Sequence, residues 1–184
     1  MASKSIDTTL NAVPFHANLP GPKSAKAIKP IVAGKLISKA KRPLLVVGSD
    51  ILNSISLIEK AIKIGEKGIP IAATGDSLKG FLDKASKVKV EAIYINLNVL
   101  VSYLGDREWK GFDNKGNYDV IIFLANKYYY ASQLMSLLKN FGGNKVKTIS
   151  IDRYYYPNAD MSFGNLKEED FLQALDEVID AIKR

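Results

Sequence analysis

The sequence predicts an α/β fold: a mostly parallel sheet covered by helices. Three observations point there. Short, wholly apolar, β-branched runs alternate with stretches whose apolar residues recur at helical spacing. The runs are apolar throughout, which is the pattern of strands buried on both faces. The chain, at 184 residues, suits one core, and a chain of that size hides roughly 70% of its unfolded surface.

Each element has its own signal. Residues 1–29 read as an N-terminal basic arm, because two prolines flank a glycine in ANLPGP (17–22) and suit neither helix nor central strand. Residues 30–184 read as a single α/β domain. Pro30 fits a first helical position, where its missing N–H costs nothing. From it Ile31/Val32, Leu36/Ile37 and Ala40 recur at helical spacing. Arg42-Pro43 ends that helix, and Leu44–Val47 is a buried strand closing on Gly48. Ser54 is placed to cap a second helix carrying Ile55, Ile58 and Ile62, with Gly65 and Gly68 at its end. A strand spans 70–75, and a short helix starting at Ser77 carries Leu78, Phe81, Leu82 and Ala85. The stretch 90–104 reads as a short strand running into a helix, and 105–117 as a loop. The run 119–126 is the clearest buried strand. The helix after it turns Leu134, Met135, Leu138 and Phe141 inward and stops at Gly142-Gly143-Asn144. A strand over 146–151 follows. The last helix starts near Lys167, with Asn165 as its cap, three acids in its first turn, and Phe171, Leu175, Val178 and Ile182 as its apolar stripe.

Composition excludes several kinds of chemistry. The chain has no cysteine, which excludes disulfides, thiolate nucleophiles and cysteine-ligated clusters, and one histidine, His16, so neither a His-pair metal site nor a Ser-His-Asp triad is expected. An oxygen-only magnesium site stays open. No apolar run approaches the roughly 20 residues of a membrane span, and MASKSIDTT has no signal-peptide core; a cytoplasmic protein is expected. The net charge is +7. Residues 1–43 hold eight basic residues and one acid, while the rest holds 18 of each. The excess therefore belongs to the arm, which speaks against a nucleic-acid-binding body.

Candidate sites fall at strand ends, where open parallel sheets bind ligands. Those ends read Gly48-Ser49-Asp50, Thr74-Gly75-Asp76, Asn126-Lys127 and Asp152-Arg153. Glycine lets the backbone approach an anion, and aspartate bonds ribose hydroxyls. Gly48, Ser49, Asp50, Thr74, Gly75, Asp76, Asn126 and Asp152 are thus the candidate binders of FAD or NAD. GxGxxG and GxxxxGK[ST] are both absent, and the same residue types also simply terminate strands. No convergent acid/base pair stands out: Asp106 with Glu108, or Asp50 with Asp76, are isolated acids on loops. Six of nine tyrosines form two triplets, Tyr128–Tyr130 and Tyr154–Tyr156. Three consecutive tyrosines cannot all face a core, so an interface is expected there. Trp109 and Phe112 in one loop, and Met161 and Phe163 in another, indicate either packing beneath the loop or a partner surface.

Several segments carry a resemblance: ANLPGPK (17–23), KRPLLVVG (41–48), ATG (73–75), DREWKGFDNKGNYD (106–119) and, above all, IDRYYYPNADMSFGNL (151–166). Together they resemble the ε-subunit family of archaeal acetyl-CoA decarbonylase/synthase, from about Ala17 to the end of the chain. The resemblance implies a three-layer Rossmann-like fold, like the NAD/FAD-binding middle domain of thiamine-diphosphate enzymes. It implies a partner, the α subunit of the CO dehydrogenase component, in an α2ε2 assembly whose clusters lie in α. It implies no catalytic residue in this chain and no metal cluster of its own. Asn18, Pro20, Gly21, Trp109, Tyr154, Tyr155, Tyr156, Met161 and Phe163 become the expected partner-facing residues. Two functions follow as expectations. One is a non-catalytic accessory subunit that stabilises α; the other is an FAD- or NAD-binding electron-transfer module of the same complex. Self-association of the isolated chain is a corollary of exposed partner surface.

Overall fold

A computed structural model describes residues 5–14, 24–85, 90–142 and 146–184. Its elements run β1 (Lys26–Ala27), α1 (Pro30–Lys39), β2 (Pro43–Val47), α2 (Ile55–Glu66), β3 (Ile71–Ala73), α3 (Lys79–Ala85), β4 (Ala92–Tyr94), α4 (Leu97–Gly105), β5 (Val120–Leu124), α5 (Tyr128–Phe141), β6 (Lys147–Ser150), β7 (Met161–Ser162) and α6 (Glu168–Ala181). Two 3-10 turns, Ser49–Asn53 and Gly75–Leu78, follow β2 and β3. The seven strands form one sheet in the order β1-β7-β6-β5-β2-β3-β4, and every pair is parallel. The chain runs outward from β2 through β3 to β4, then returns to place β5 on the other side of β2. The switch point of the sheet is therefore the cleft between β2 and β5, registered Pro43 to Val120 through Val47 to Leu124.

Alternation along the strands sorts the core into two layers. Leu45, Val47, Ile122, Leu124 and Ile149 face α1, α2, α3 and α6; Leu44, Val46, Ile121 and Phe123 face α4 and α5. With roughly 25 cal/mol per Å2 of apolar area buried, these layers are the main stabilising term. No helix among the described residues is long and apolar enough to cross a membrane.

Several expectations need correction. The described parts of the arm belong to the domain. Thr8 is fully buried and donates to the Ile28 carbonyl, Gly164 N–H donates to the Thr8 carbonyl, and β1 joins the sheet edge beside β7. The irregular stretch after β6 thus contains a strand that short, polar-flanked sequence does not announce. Ile31 and Val32 are exposed, because α1 packs on α6 through Ala33, Gly34 and Ile37. Ile55, Leu82 and Phe141 also point outward although their helices bury neighbouring residues; Phe141 is 80% exposed. Ser54 occupies the cap position of α2 without a side-chain cap bond. Asn165 caps nothing; Lys167 is the N-cap of α6. Asn165 instead accepts from Tyr155 N–H and donates to the Asn11 and Val13 carbonyls, tying three segments together. The expected stop at Gly143-Asn144 lies outside the described residues.

The α1–α6 contact depends on a missing side chain. A Cβ on Gly34 would lie 2.6 Å from Ala181 Cβ and 2.7 Å from the Val178 carbonyl oxygen. Helix propensity favours alanine over glycine by about 1 kcal/mol, but overpacking against backbone costs about 1–3 kcal/mol. Gly34→Ala is therefore expected to lower the midpoint of urea unfolding. An unchanged or raised midpoint would contradict this packing.

Candidate functional site

The switch point is built from the ends of β2, β5 and β6. Ala125, directly after β5, has φ +55, a left-handed conformation that costs an alanine about 1–2 kcal/mol. It turns the Ala125 carbonyl to accept from Asp50 N–H at 3.1 Å. Asn126 comes next and is buried. Its Nδ2 donates to the Val46 carbonyl at 3.2 Å and the Leu124 carbonyl at 3.0 Å, one from each strand. Its Oδ1 has no hydrogen-bond partner and faces Gly48, where a Cβ would come within 2.8 Å of that oxygen and 2.4 Å of Asn126 Cα.

Asp152, just past β6, supports this arrangement from below. Its Oδ2 accepts from Asn126 N–H at 3.2 Å and its Oδ1 from Arg153 N–H at 2.8 Å. Asp152 is 7% exposed. Burial pushes its carboxyl up to about 6, against the pull of the two backbone N–H groups and with a further push from the charge on Asp50. Tyr156 donates to the Asn126 carbonyl at 3.2 Å, and burial, then Asp152, raise its phenol well above the usual range.

Above these residues opens a cavity of about 340 Å3, lined by Asp50, Asn126, Asp152, Arg153, Tyr154 and Glu168 among others. That is near the lower bound of ligand pockets, about 300–1,000 Å3. Three carboxylates line it against one lining cation, Arg153, which lies 3.6 Å from Glu168 and over the Tyr154 ring. Asp50 is paired with Lys127.

Of the eight cofactor candidates, Asp50, Asn126 and Asp152 line this cavity. Gly48 sits beneath it, filled by Asn126. Ser49, Thr74, Gly75 and Asp76 serve the neighbouring strand ends. Asp76 N–H donates to Ser49 Oγ at 3.2 Å, and Thr74 Oγ1 donates to the Val47 carbonyl at 3.0 Å. Asp50 and Asp76 form no acid/base pair, since Asp76 is bridged to Lys79. Asp106 accepts from Glu108 N–H within a turn. A pyrophosphate needs converging N–H donors and a close backbone approach at the strand-to-helix turn. Here the approach at Gly48 is taken by Asn126, and a 3-10 turn replaces the helix start. The residues present do not fit the pyrophosphate of FAD or NAD at this place. No group of three His, Asp or Glu among the described residues could hold a metal ion.

The tyrosine triplets divide differently from expectation. Tyr155 and Tyr156 are buried in this chain's own core, at 3% and 1% exposure, and so is Phe163. They are corrected from partner-facing to structural. Tyr155 OH donates to the Ala25 carbonyl at 2.6 Å and pins the N-terminal segment. Tyr156 N–H donates to Ser162 Oγ, and its ring lies 4.6 Å from that of Tyr128. These residues lie inside because β7, unforeseen, folds 157–166 back onto the sheet. Tyr154 and Met161 are half-buried. Trp109 is half-buried within its own cluster, stacked on Tyr103 at 5.4 Å and edge-on to Phe112 at 5.3 Å. Arg42 holds that loop by pairing with Asp113. Tyr129 and Tyr130 are exposed in the first turn of α5. Asn18, Pro20, Gly21 and His16 lie outside the described residues. Sequence reasoning missed Tyr128, Arg153 and Glu168 as cavity residues. The position of Tyr128 and Arg153 beside strand ends was a usable signal; Glu168, which opens α6, and the turned Ala125 had none.

Comparison with known proteins follows the same direction as the sequence resemblance. Residues 8–179 match the family model described as CO dehydrogenase beta subunit/acetyl-CoA synthase epsilon subunit. The chain is similar to the acetyl-CoA decarbonylase/synthase complex subunit epsilon of Methanothrix soehngenii, 49% identical over 98% of this chain and 97% of that one. It is similar to subunit epsilon 1 of Methanosarcina barkeri, 45% identical over 96% and 99%. The subunit epsilon of Methanothermobacter thermautotrophicus is 32% identical over 86% and 88%. Among solved structures, apo saccharopine dehydrogenase from Saccharomyces cerevisiae aligns over 60% of this chain and 21% of its own at TM-score 0.36 and 14% identity, a likeness too slight to carry an argument.

Two outcomes are expected. Because the folded pKa of Asp152 lies above its ordinary 3.8, the stability it contributes is present below about pH 4 and lost as pH rises through about 6; the rise is worth on the order of 3 kcal/mol. The stability difference between wild type and Asp152→Asn should change across that window and stay flat above it. A constant difference from pH 4 to 7 would contradict the buried carboxyl. Gly48→Ala should lower stability by about 1–3 kcal/mol, because the obstructing atoms are backbone. A neutral substitution would show that Asn126 does not fill this seat.

Proposed function

The chain belongs to the CO dehydrogenase beta subunit/acetyl-CoA synthase epsilon subunit family, and on that premise we propose that it is a non-catalytic accessory subunit. It sits on the cluster-bearing α subunit of the CO dehydrogenase component, in an α2ε2 assembly, and stabilises it. The observation that carries this reading is the near full-length identity to subunits named for the acetyl-CoA decarbonylase/synthase complex. At the switch point Asn126 and Asp152 spend their hydrogen bonds on backbone groups of this chain, with Asn126 Oδ1 unpartnered. The protein's contribution is then contact with its partner.

A second reading, an FAD- or NAD-binding electron-transfer module, is favoured by one observation: a cavity stands at the switch point of a parallel sheet. Its lining carboxylates and the self-filled Gly48 seat weigh against it.

Co-expression with the cluster-bearing subunit should give co-elution and a raised melting temperature for that subunit. Separate elution with an unchanged melting temperature would overturn the proposal. Adding FAD or NAD to millimolar concentration should leave the melting temperature of the pure chain unmoved. A ligand present at 100 times its Kd would add about 2.7 kcal/mol, so a rise of several degrees would put the second reading first.

A further inference from the structure

Two neighbouring helices carry opposite charge. From Thr8 to Ser49 the sequence holds no acid, so α1 is purely basic, with Lys35 and Lys39 exposed on it. From Glu168 to Ala181, α6 holds six acids and no Lys or Arg. Other helices do not divide this way. α2 mixes Glu59, Lys60, Lys63 and Glu66, and α4 and α5 hold one charged residue between them, Lys139. α1 and α6 pack on each other at Gly34, yet among the described residues no ion pair joins them. The engaged acids of α6 turn elsewhere. Asp176 pairs with Lys60 of α2 and Glu168 with Arg153, while Glu177 accepts from Ser5 Oγ and the Ile6 N–H. The exposed side chains of Lys35, Lys39 and Asp180 have no such partner among the described residues.

A groove keeps the two rows apart. Its volume is about 560 Å3, with Ile31, Lys35 and Lys39 on one wall and Glu177, Asp180 and Ala181 on the other. Ile31, 42% exposed, makes its centre apolar. Whatever fills it must offer an acidic row to α1 and a basic row to α6. A second copy carries both rows, and the geometry lets one symmetry operation bring them together. The helices run parallel: Gly34 faces Val178 and Ala181, Ser38 Oγ accepts from the Lys183 N–H, and Arg184 donates to the Ala40 carbonyl. A two-fold axis along the groove therefore exchanges the walls and keeps each level. It sets Lys35 opposite the second copy's Asp180, and Asp180 opposite that copy's Lys35. That is the reciprocal contact of an isologous pair. Single exposed ion pairs contribute little. Here symmetry doubles each pair around an apolar centre, the arrangement of a polar rim about a drier core.

We infer that the chain pairs with a second copy of itself across the α1–α6 groove, basic row against acidic row. The pairing is independent of the accessory-subunit reading. Sedimentation of the full chain up to about 1 mM, the weak end of the affinity range, tests it. The samples are wild type, Lys35→Glu, Asp180→Lys, and an equimolar mixture of the two variants. Both side chains are exposed, so the variants should keep the wild-type melting temperature to within a few degrees. Wild type should dimerise. Each variant alone should associate at least tenfold more weakly, because each sets like charges opposite one another twice. The mixture should dimerise again, because a mixed pair holds one natural contact and one with both charges reversed. Wild type that stays monomeric, or single variants that associate as wild type does, would overturn the inference. Variants that fail alone and also fail when mixed would overturn it in favour of a partner of another kind.

Discussion

The amide of Asn126 is the contact on which the centre of this molecule depends. At the switch point the strand-end carbonyls keep ladder partners, as Gly48 N–H donates to the Leu124 carbonyl at 3.1 Å, and the Asn126 side chain adds a second bond. Asn126 Nδ2 takes one carbonyl from each strand, Val46 and Leu124. Reaching that position requires Ala125 in a left-handed conformation and no side chain at Gly48. Asp152 and Tyr156 then hold the Asn126 backbone from both ends. The close approach to the Gly48 backbone is here taken by the protein's own side chain, beneath the open cavity. This is why the residues do not fit a pyrophosphate at Gly48, although the sheet is of the parallel, helix-covered kind.

The same constraint explains what sequence could and could not reveal. The strands at 44–47, 70–75, 119–126 and 146–151 were legible because residues buried on both faces leave wholly apolar runs. The Gly/Asp strand ends were legible as positions but not as chemistry. Nothing in the letters distinguishes a glycine that admits a phosphate from one that admits an asparagine 78 positions later. The fate of Tyr155 and Tyr156 was hidden for a related reason. Their burial depends on two-residue strands, β1 and β7, that pair residues more than 130 apart and leave no periodicity behind. Which side of a helix packs inward was misread at Ile31, Ile55 and Phe141, where apolar residues occur on both sides.

That last misreading bears on function. Apolar side chains on the outside of α5 break the usual patterning of a surface helix. The long uncharged runs beneath them would be unstable to association if left in water. The opposite layer exposes apolar side chains as well, Ile31 and Val32 on α1 and Ile55 on α2.

Hydroxyl-radical footprinting of the chain, alone and in the assembled complex, reads side-chain accessibility over its surface and at the cavity mouth at once. Assembly is predicted to protect a surface of this chain away from the switch-point cavity while Tyr154, which lines that cavity, keeps its reactivity. Protection of Tyr154 with the rest of the surface unchanged would contradict this and return the function to the cavity.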